Sequence, residues 1–416
     1  MQTFGELVEH GEAVRLVLES TPVLEALETQ ISEAQGLALE GELYARFDSP
    51  QYPNSAMDGF ALRSADAEVG RVFPVVDEAP AGSPAKRSVG EGEAIKIFTG
   101  GVIPDGADAV VPVENTSGYG PEFELKKPVE PGANVRGSGE DVRAGDLMLP
   151  DGTGIGPSEI ALAASQGYGS LNVRRRPRVV VFSTGAELVE PGSRELSPGE
   201  VYDSNSYALL ALAREAGADV RRIASATDDE EALRAAMREA LSEADVVVTS
   251  GGVSMGEKDL VKDILLELGV EQRFWGIKLK PGKPVFYGTR EDARFFGLPG
   301  NPVSAMVCFE LFVRPAIARM MGRGEEDPGR PRASVYFDEP VENKFGRTHA
   351  MRVSLTRTEK GLRAESVGAQ GSGLISSLTK ADALALIGPE CEGVAAAEPV
   401  EAIVLRPERL TSPASG

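Results

Sequence analysis

The chain has 416 residues, of which 42% are hydrophobic, and its formal net charge is -21. That length favours two to four domains, and the acidic balance argues against binding to nucleic acid or to an anionic membrane. Two cysteines and two histidines cannot supply the usual Cys/His zinc site or a disulfide framework, and the absence of a long apolar run or a basic leader predicts a cytoplasmic protein.

The first third of the chain is predicted to combine helices with an inserted β module. Residues 1–45 contain two amphipathic stretches, at 3–20 and 22–34, and together with residues 142–177 they are predicted to form a helical linker domain. Between these segments, residues 46–141 are rich in glycine and proline and contain short β-type runs. This pattern predicts a β-rich module.

The remaining sequence predicts an α/β domain followed by a small β domain. Runs typical of strands and helices alternate over residues 178–326, which predicts a doubly wound α/β domain with ligands at the carboxyl ends of its strands. The last helix of this domain is predicted over 301–321. Residues 331–408 alternate in strand fashion and predict a C-terminal β domain. The predicted fold class is therefore a multidomain α/β protein.

A glycine-rich loop lies inside the α/β domain. The segment Thr249–Asp259 follows an apolar run and precedes the helical run that begins at Leu260. Small residues before a helix N-terminus suit a phosphate, and a carboxylate such as Asp259 beside a phosphate implies a bridging Mg²⁺. A tight strand-to-helix turn also requires glycine, so both interpretations remain open at this point.

Residues 271–290 form a positive island on this acidic chain, with five basic residues against Glu271 alone. Within it, Lys280 and Lys283 lie three residues apart on a backbone stiffened by prolines, a spacing that suits an oxyanion. A surface turn with solvated lysines fits the same pattern. The segment Gly300–Pro302, followed by Ser304, fits either an anion site or ordinary helix capping.

Four short turns carry acidic or hydroxyl side chains: Asp58 in SAMDGFA, Thr99 in TGG, Asp141 in GED and Glu187 in STGAE. Each one alone fits an Asx turn or a solvated charge. Together they leave several carboxylates on loops with no histidine to act as a base, which disfavours the serine, cysteine and histidine triads.

Eight motifs, in this order, carry a family resemblance: SAMDGFA, TGGVIPDGADAVV, GED, STGAEL, DSNS, TSGGVSMGEKD, KPGKP and GLPGNPVSA. The chain resembles the molybdopterin molybdenumtransferases, the molybdenum insertases of the MoeA type that include the E domain of gephyrin-like proteins. The resemblance implies a four-part elongated subunit and a homodimer. It also implies insertion of molybdate into adenylylated molybdopterin with release of AMP, aided by Mg²⁺ or a similar ion.

The resemblance also implies roles for individual residues. The catalytic positions are Asp259, Asp58 and Glu187, with Asp259 as the metal ligand. Molybdate-binding positions are Lys280, Lys283, Ser304, Arg347, Arg352, Ser372 and Ser376, with the choice between the two arginines open. Nucleotide- or pterin-binding positions are Thr99, Asp141, Ser250, Gly251, Gly252, Ser254, Gly256, Pro299 and Pro302. In the family the β module of one subunit faces the α/β domain of the other, which would place Asp58 and Thr99 across the dimer interface from Asp259.

Two other functions are compatible with parts of the sequence. The α/β domain also resembles molybdopterin adenylyltransferases, which are usually a single α/β domain without the β modules found here. A gephyrin-type scaffold is the second alternative, and the charged site positions in this chain argue against it. The resemblance further suggests molybdopterin adenylyltransferase and downstream molybdoenzyme chaperones as protein partners.

Overall fold

The computed structural model describes residues 7–224, 229–252, 260–323, 329–344, 346–389 and 392–411. The chain divides into two compact units. The first comprises Met1–Glu40, Gly152–Gly156 and Leu171–Gly416, and the second comprises Gly41–Asp151 and Pro157–Ser170. None of the helices that the structure describes combines the length and the apolar composition of a membrane span.

A mixed six-stranded sheet forms the centre of the first unit. The strands follow the order Asp219–Arg222, Arg178–Ser183, Val246–Ser250, Ala293–Leu298, Phe286–Arg290 and Glu271–Trp275. The first four are parallel to one another, and the last two are joined to the sheet through antiparallel pairings. The central strand Val246–Ser250 is buried along its whole length, as expected for a parallel strand covered on both faces.

Helices cover both faces of this sheet and bury two apolar clusters against it. They are His10–Ser20, Asn205–Glu215, Glu230–Glu243, Leu260–Glu267, Pro302–Cys308 and Arg314–Met320, with a π-helical turn at Phe309–Val313 between the last two. The helix predicted over 301–321 is thus interrupted by a π turn. The predicted doubly wound α/β layer is confirmed, with an antiparallel pair added at one edge.

The C-terminal region of the first unit forms a second sheet. Its strands follow the order Leu279–Lys280, Thr348–Thr358, Gly361–Ser366, Arg332–Tyr336, Val400–Val404 and Ala383–Ile387, and a further pairing between the second and last of these closes it. The smaller elements are the strand pair Val341–Glu342 with Gly393–Val394, the helix Ile375–Lys380 and the 3₁₀ helix Pro407–Thr411. The predicted C-terminal β domain is confirmed. Because Leu279–Lys280 pairs with Thr348–Thr358, a short strand from the α/β domain forms one edge of the C-terminal sheet.

The second unit is rich in β structure. Its main sheet has the order Ala109–Pro112, Gly59–Leu62, Ala94–Ile97, Val72–Ala79 and Glu122–Glu124. Its other elements are the pairs Asn54–Ser55 with Val135–Arg136 and Leu43–Tyr44 with Leu147–Leu149, the helix Pro157–Ser165, and 3₁₀ turns at Ser64–Asp66 and Val113–Asn115. Phe60, Phe73 and Phe123 stack in its core. This matches the predicted β-rich module.

The N-terminal helices differ from the prediction. Residues 3–6 of the helix predicted over 3–20 lie outside the described residues. The helix that the structure describes begins at His10, because Val8 instead pairs with Ile277 as an isolated β-bridge. The helix predicted over 22–34 is wrong: Ala26–Gln30 is a strand in a sheet with Ser170–Arg174 and Ala38–Leu39. Tertiary strand pairing has overridden a local amphipathic pattern. The division into four domains remains a prediction.

Candidate active site

A pocket of about 500 Å³ lies in the first unit. It is lined by Leu279, Lys280, Pro281, Gly282, Lys283, Pro284, Asn301, Ser304, Arg347, Gln370, Gly371 and Ser372, and is called the lysine pocket below. Three of these side chains are cationic, and no aspartate or glutamate is among the lining residues that the structure describes. The lining therefore presents positive charge together with hydroxyl and amide groups, the donor set that an oxyanion needs.

Three segments converge to build the lysine pocket. Lys280 ends a strand that pairs with Thr348–Thr358, in register with His349. Ser304 is buried, with 3% exposure, in the first turn of the helix Pro302–Cys308. The backbone N–H of Val303 donates to the carbonyl of Ser372 at 3.1 Å, which ties that helix to the third segment. The pocket thus depends on contacts between the α/β region and the C-terminal sheet.

The turn between the two lysines is shaped by a glycine. Gly282 has a φ of +120°, and a Cβ placed on it would lie 2.4 Å from Cys308 Sγ. Any other residue would be strained in this conformation and would collide with the buried thiol. Glycine at this position therefore lets the loop lie close against the helix while both lysines remain at the pocket.

The electrostatics of the pocket favour an anion. Burial, with the nearby charges of Arg347 and Arg352, lowers the pKa of Lys280 below its ordinary value. The pKa of His349 is lowered to about 4 by burial and by the charges of Lys280 and Arg352. Both shifts have one physical meaning: added positive charge is disfavoured here, so a bound anion would stabilise the charged form of Lys280.

The structure distinguishes the two candidate arginines. Arg347 lines the lysine pocket. Arg352 is fully buried, and its Nη2 donates to the carbonyls of Ala369 and Gly371 at 3.4 and 3.2 Å. Its backbone N–H and C=O also bond with the side chain of Gln370. Arg352 therefore braces the loop that carries Ser372, and its role as a molybdate ligand remains a prediction.

The two candidate serines also differ in position. Ser372 lines the lysine pocket, whereas Ser376 is exposed in the helix Ile375–Lys380 and is not among the lining residues. The pocket also contains Asn301 and Gln370, which are not among the predicted binding positions. Asn301 belongs to the segment Gly300–Pro302, whose sequence fits either an anion site or helix capping, and Gln370 lies two residues before the predicted Ser372. The sequence signal that could have identified both residues is a polar side chain close to a predicted anion-binding serine.

A second feature lies at the carboxyl ends of the parallel strands. After the strand Arg178–Ser183, the chain forms the edge strand Asp219–Arg222 on one side of it and then the strand Val246–Ser250 on its other side. A topological switch point therefore lies between Arg178–Ser183 and Val246–Ser250. In open α/β sheets such a point is where ligands bind. The segment Ser250–Gly252, called the glycine loop below, begins here.

Close packing explains the glycines of the glycine loop. A Cβ on Gly251 would lie 2.4 Å from the carbonyl oxygen of Thr184, and one on Gly252 would lie 2.7 Å from Thr184 Oγ1. The buried Thr184 Oγ1 has no hydrogen-bond partner among the described residues. The loop is thus pressed against the turn that leads to Glu187, whose side chain is exposed.

Several predicted residues lie around or beyond this loop. Ser250 Oγ donates to the carbonyl of Pro299 at 3.1 Å, and Pro302 is the first residue of the helix that bears Ser304. Asp259, Ser254 and Gly256 lie outside the described residues. Their predicted roles therefore stay predictions.

The other predicted residues belong to the second unit. Asp58 Oδ1 accepts hydrogen bonds from both the backbone N–H and the hydroxyl of Thr99, each at 2.7 Å. These bonds lower the pKa of Asp58, so it is held as a carboxylate. Asp141 lines a separate pocket of about 460 Å³ with Ser49, Pro50, Asn54, Arg136 and Glu140. The sequence assigned no role to Arg136, the one cation in that lining.

The described residues contain no cluster of three or more His, Cys, Asp or Glu side chains that could hold a metal ion. The predicted magnesium ligand, Asp259, is not among them. The assignment of Mg²⁺ therefore stays a prediction, and no chemical step below is routed through it.

Comparison with known proteins identifies the family. Three family models match in succession: the MoeA N-terminal region (domain I and II) over residues 8–167, a probable molybdopterin binding domain over 180–319, and the MoeA C-terminal region (domain IV) over 334–405. The chain is 36% identical over 376 residues to a molybdopterin molybdenumtransferase of Haemophilus influenzae, covering 89% of this chain and 91% of that one. This chain belongs to the molybdopterin molybdenumtransferase family.

Further members support the same conclusion. Molybdopterin molybdenumtransferase 2 of Mycobacterium tuberculosis is 37% identical over 356 residues, which cover 83% of this chain and 87% of that protein. The crystal structure of the molybdopterin biosynthesis moeA protein from Pyrococcus horikoshii OT3 matches with a TM-score of 0.80 at 29% identity, over 96% of this chain and 100% of that chain. The resemblance to molybdopterin molybdenumtransferases and the predicted multidomain fold are both confirmed. Neither the adenylyltransferase nor the scaffold alternative gains support.

Proposed function

We propose that this protein inserts molybdenum from molybdate into adenylylated molybdopterin and releases AMP. The observation that carries the proposal is the lysine pocket, in which Lys280, Lys283 and Arg347 line one cavity with no carboxylate among the described lining residues. Family membership supports the same transferase reaction. A tetrahedral dianion such as molybdate matches this excess of positive charge.

The lysine pocket would bind molybdate through charge and hydrogen bonds together. Each lysine ammonium group offers three donors, and the Arg347 guanidinium offers a planar fork that can contact two oxygens at once. The hydroxyls of Ser304 and Ser372 can donate to the remaining oxygens. The dithiolene sulfurs that receive the metal come from the pterin, so the protein needs no cysteine at this site.

The glycine loop is the proposed position of the adenylylated pterin. It lies at the switch point of the sheet, where open α/β sheets bind ligands, and Gly251 and Gly252 have no side chains that would keep a phosphate away from the backbone. The loop and the lysine pocket are linked through the neighbouring strand ends, since Ser250 bonds to Pro299. Both substrates would then lie along one edge of the sheet. When bound, Mg²⁺ would neutralise phosphate charge; Asp259 is its proposed ligand.

The quaternary structure and the other site assignments are part of the same proposal. A homodimer and protein partners among molybdopterin adenylyltransferase and downstream chaperones are proposed from the family resemblance, and a cytoplasmic location is proposed from the sequence composition. Glu187, Asp58, Thr99 and Asp141 are proposed to act in catalysis or in binding of the nucleotide and pterin. Sedimentation analysis of the purified protein tests the dimer directly, and a monomer at micromolar concentration would contradict it.

The deciding experiment follows AMP and metal-loaded cofactor together. Purified protein is incubated with adenylylated molybdopterin, molybdate and Mg²⁺. Parallel reactions omit one component each, and a further reaction contains ATP and unloaded molybdopterin instead of the adenylylated pterin. An insertase releases AMP only in the complete reaction, whereas an adenylyltransferase consumes ATP and a scaffold does neither. AMP release that does not depend on molybdate, or ATP consumption with unloaded molybdopterin, would overturn the proposal.

A further inference from the structure

The DSNS segment, Asp203–Ser206, has no role in the function proposed above, yet it lies at the junction of three strand ends. Asp203 is buried, and its Oδ1 accepts hydrogen bonds from Ser183 Oγ at 2.9 Å and from the backbone N–H of Ser206 at 3.0 Å. These bonds fix the first turn of the helix Asn205–Glu215 to the end of the strand Arg178–Ser183. Asn205 is therefore presented from a firmly held position.

The side chain of Asn205 joins the two loops of the candidate site. Its Nδ2 donates to Ser250 Oγ at 2.8 Å and to the carbonyl of Gly300 at 2.7 Å. Ser250 begins the glycine loop. Gly300 directly precedes Asn301 and lies four residues before Ser304, which both line the lysine pocket. One carboxamide thus uses both of its N–H donors to hold one group from each loop.

The described parts of these two loops lie close together and are joined by further hydrogen bonds. The backbone N–H of Gly251 donates to the carbonyl of Leu298 at 3.1 Å, and a Cβ placed on Gly300 would lie 3.7 Å from Gly251 Cα. Ser250 Oγ, which accepts from Asn205, donates in turn to Pro299. The hydrogen bonds therefore run in a chain from the helix through the glycine loop to the segment that enters the lysine pocket.

We infer that Asn205 is a positioning residue that keeps the glycine loop and the lysine pocket at the separation required for reaction between their ligands. The inference rests on the proposed function, in which one loop holds the adenylylated pterin and the other pocket holds molybdate. Asn205 acts through Ser250 and Gly300 and contributes little to the affinity of either substrate alone. Its removal lowers the turnover number, because misplacement by about 1 Å can cost roughly 100-fold in rate.

Two substitutions separate this role from simple space filling. Asn205→Ala removes both donors. Asn205→Asp keeps the size of the side chain but places an acceptor against the Gly300 carbonyl oxygen. A positioning role predicts that kcat falls about 10- to 100-fold in both variants, while the KM values for both substrates and the Kd for molybdate change less than about threefold. A space-filling role predicts that Asn205→Asp behaves as wild type.

The matched control is Asn172→Ala. Asn172 is an exposed carboxamide of the same unit that donates to Glu40 Oε2 at 2.8 Å. Ser250→Ala, alone and combined with Asn205→Ala, completes a double-mutant cycle. If both residues act through one link, the double variant loses no more kcat than the more damaged single variant. Full additivity would overturn the inference.

Hydrogen–deuterium exchange provides a readout that does not depend on activity. In Asn205→Ala, the amides of Gly300, Asn301, Val303 and Ser304 should exchange faster than in wild type, with no such change in Asn172→Ala. If wild type releases AMP and Asn205→Ala keeps its kcat, the inference is wrong. If wild type releases no AMP, the proposed function is wrong. The exchange measurement then tests the inference by itself: unchanged exchange at these four amides in Asn205→Ala would overturn it.

Discussion

Gly282 and Cys308 are packed so closely that only a glycine fits between the two lysines of the pocket. The thiol Sγ lies 3.8 Å from the carbonyl oxygen of Gly282, and a Cβ on that glycine would lie 2.4 Å from Sγ. Burial raises the pKa of the Cys308 thiol, so it remains neutral in this position. The cysteine acts as a packing surface beneath the loop, as a small buried thiol commonly does.

Gly282→Ala should lower both stability and molybdate affinity. Gly361→Ala is the control, because Gly361 has a φ of +121° but has no atom within 4 Å of its Cβ position. Overpacking usually costs about 1–3 kcal/mol, so we expect Gly282→Ala to unfold more easily than Gly361→Ala by roughly that amount. Chemical denaturation measures the difference.

The same contact can be tested in reverse by adding Cys308→Ala to Gly282→Ala. Removing Sγ makes room for the new methyl group, so the double variant should regain much of the stability lost through the collision. The backbone strain of the positive φ would remain. If Cys308→Ala gives no recovery, the collision is not the cause of the loss.

Lys283→Ala should weaken molybdate binding with little change in stability. A hydrogen bond to a charged group contributes about 1.5–3 kcal/mol, which corresponds to roughly 10- to 150-fold in Kd. Lys344→Ala is the control, since Lys344 is 73% exposed and pairs only at the surface with Glu342. Isothermal titration with molybdate measures Kd for both. Equal affinities in the two variants would contradict the proposed site.

Molybdate binding should weaken at alkaline pH because of Lys280. Burial and the charges of Arg347 and Arg352 lower the pKa of this lysine from 10.5. As pH rises through the lowered pKa, Lys280 loses its proton and the oxyanion loses a cation. The alkaline loss of affinity should therefore begin below pH 10.5 and move to higher pH in Lys280→Arg, whose guanidinium stays protonated. Binding titrations across pH 7–11 test this, and identical profiles would exclude Lys280 as the titrating group.

Replacing Arg347 should affect mainly molybdate binding, whereas replacing Arg352 should affect mainly stability. Arg347→Ala should weaken molybdate binding by about tenfold or more and leave the melting temperature nearly unchanged, because this side chain lines the pocket. Arg352→Met should instead destabilise the protein, because the fully buried guanidinium holds the carbonyls of Ala369 and Gly371. Calorimetry of unfolding and of binding separates the two effects. A stable Arg352→Met variant that no longer binds molybdate would restore Arg352 as the ligand.

Glu310 should contribute stability that disappears in acid. Its carboxylate is 5% exposed and bonds to Arg314 at 2.6 Å and to Arg330 at 3.0 Å. Burial alone would raise the pKa of Glu310, but the hydrogen bond from Arg330 and the charge of Arg314 outweigh it and lower the pKa below the ordinary 4.5. Breaking such a buried pair costs about 3–5 kcal/mol, so Glu310→Gln should be destabilised by that order at neutral pH.

The pH dependence follows from the lowered pKa. A carboxylate with a depressed folded-state pKa stabilises the fold above its ordinary pKa, and this contribution is lost as pH falls through the folded-state value. The stability difference between wild type and Glu310→Gln should therefore be constant at neutral pH and shrink below about pH 4.5. Glu12→Gln, which removes an exposed partner of Arg15, should show no measurable change. A difference that persists undiminished into acid would rule out this ionisation as the cause.

Local sequence patterns predicted the structure correctly where an element forms because of its own hydrophobic periodicity. Continuous β-branched runs such as Val246–Val248 predicted the buried parallel strands. The spacing of Lys280 and Lys283 fitted either an oxyanion site or a surface turn, and molybdate binding there remains a prediction. Local patterns failed where pairing decides the structure. The stretch 22–34 has helical spacing, yet Ala26–Gln30 forms a strand because distant residues 170–174 offer a sheet edge.

By itself, the sequence determined the family, the succession of α/β and β regions, and the charged residue types that an oxyanion site requires, because all of these are encoded in contiguous motifs and periodicities. Only the tertiary structure decided that Arg347 rather than Arg352 lines the pocket, that Asn301 and Gln370 join it, and that Asn205 bridges two loops. Each of those outcomes depends on which distant segments pack together and in what register, and that information is not contained in any single stretch of chain.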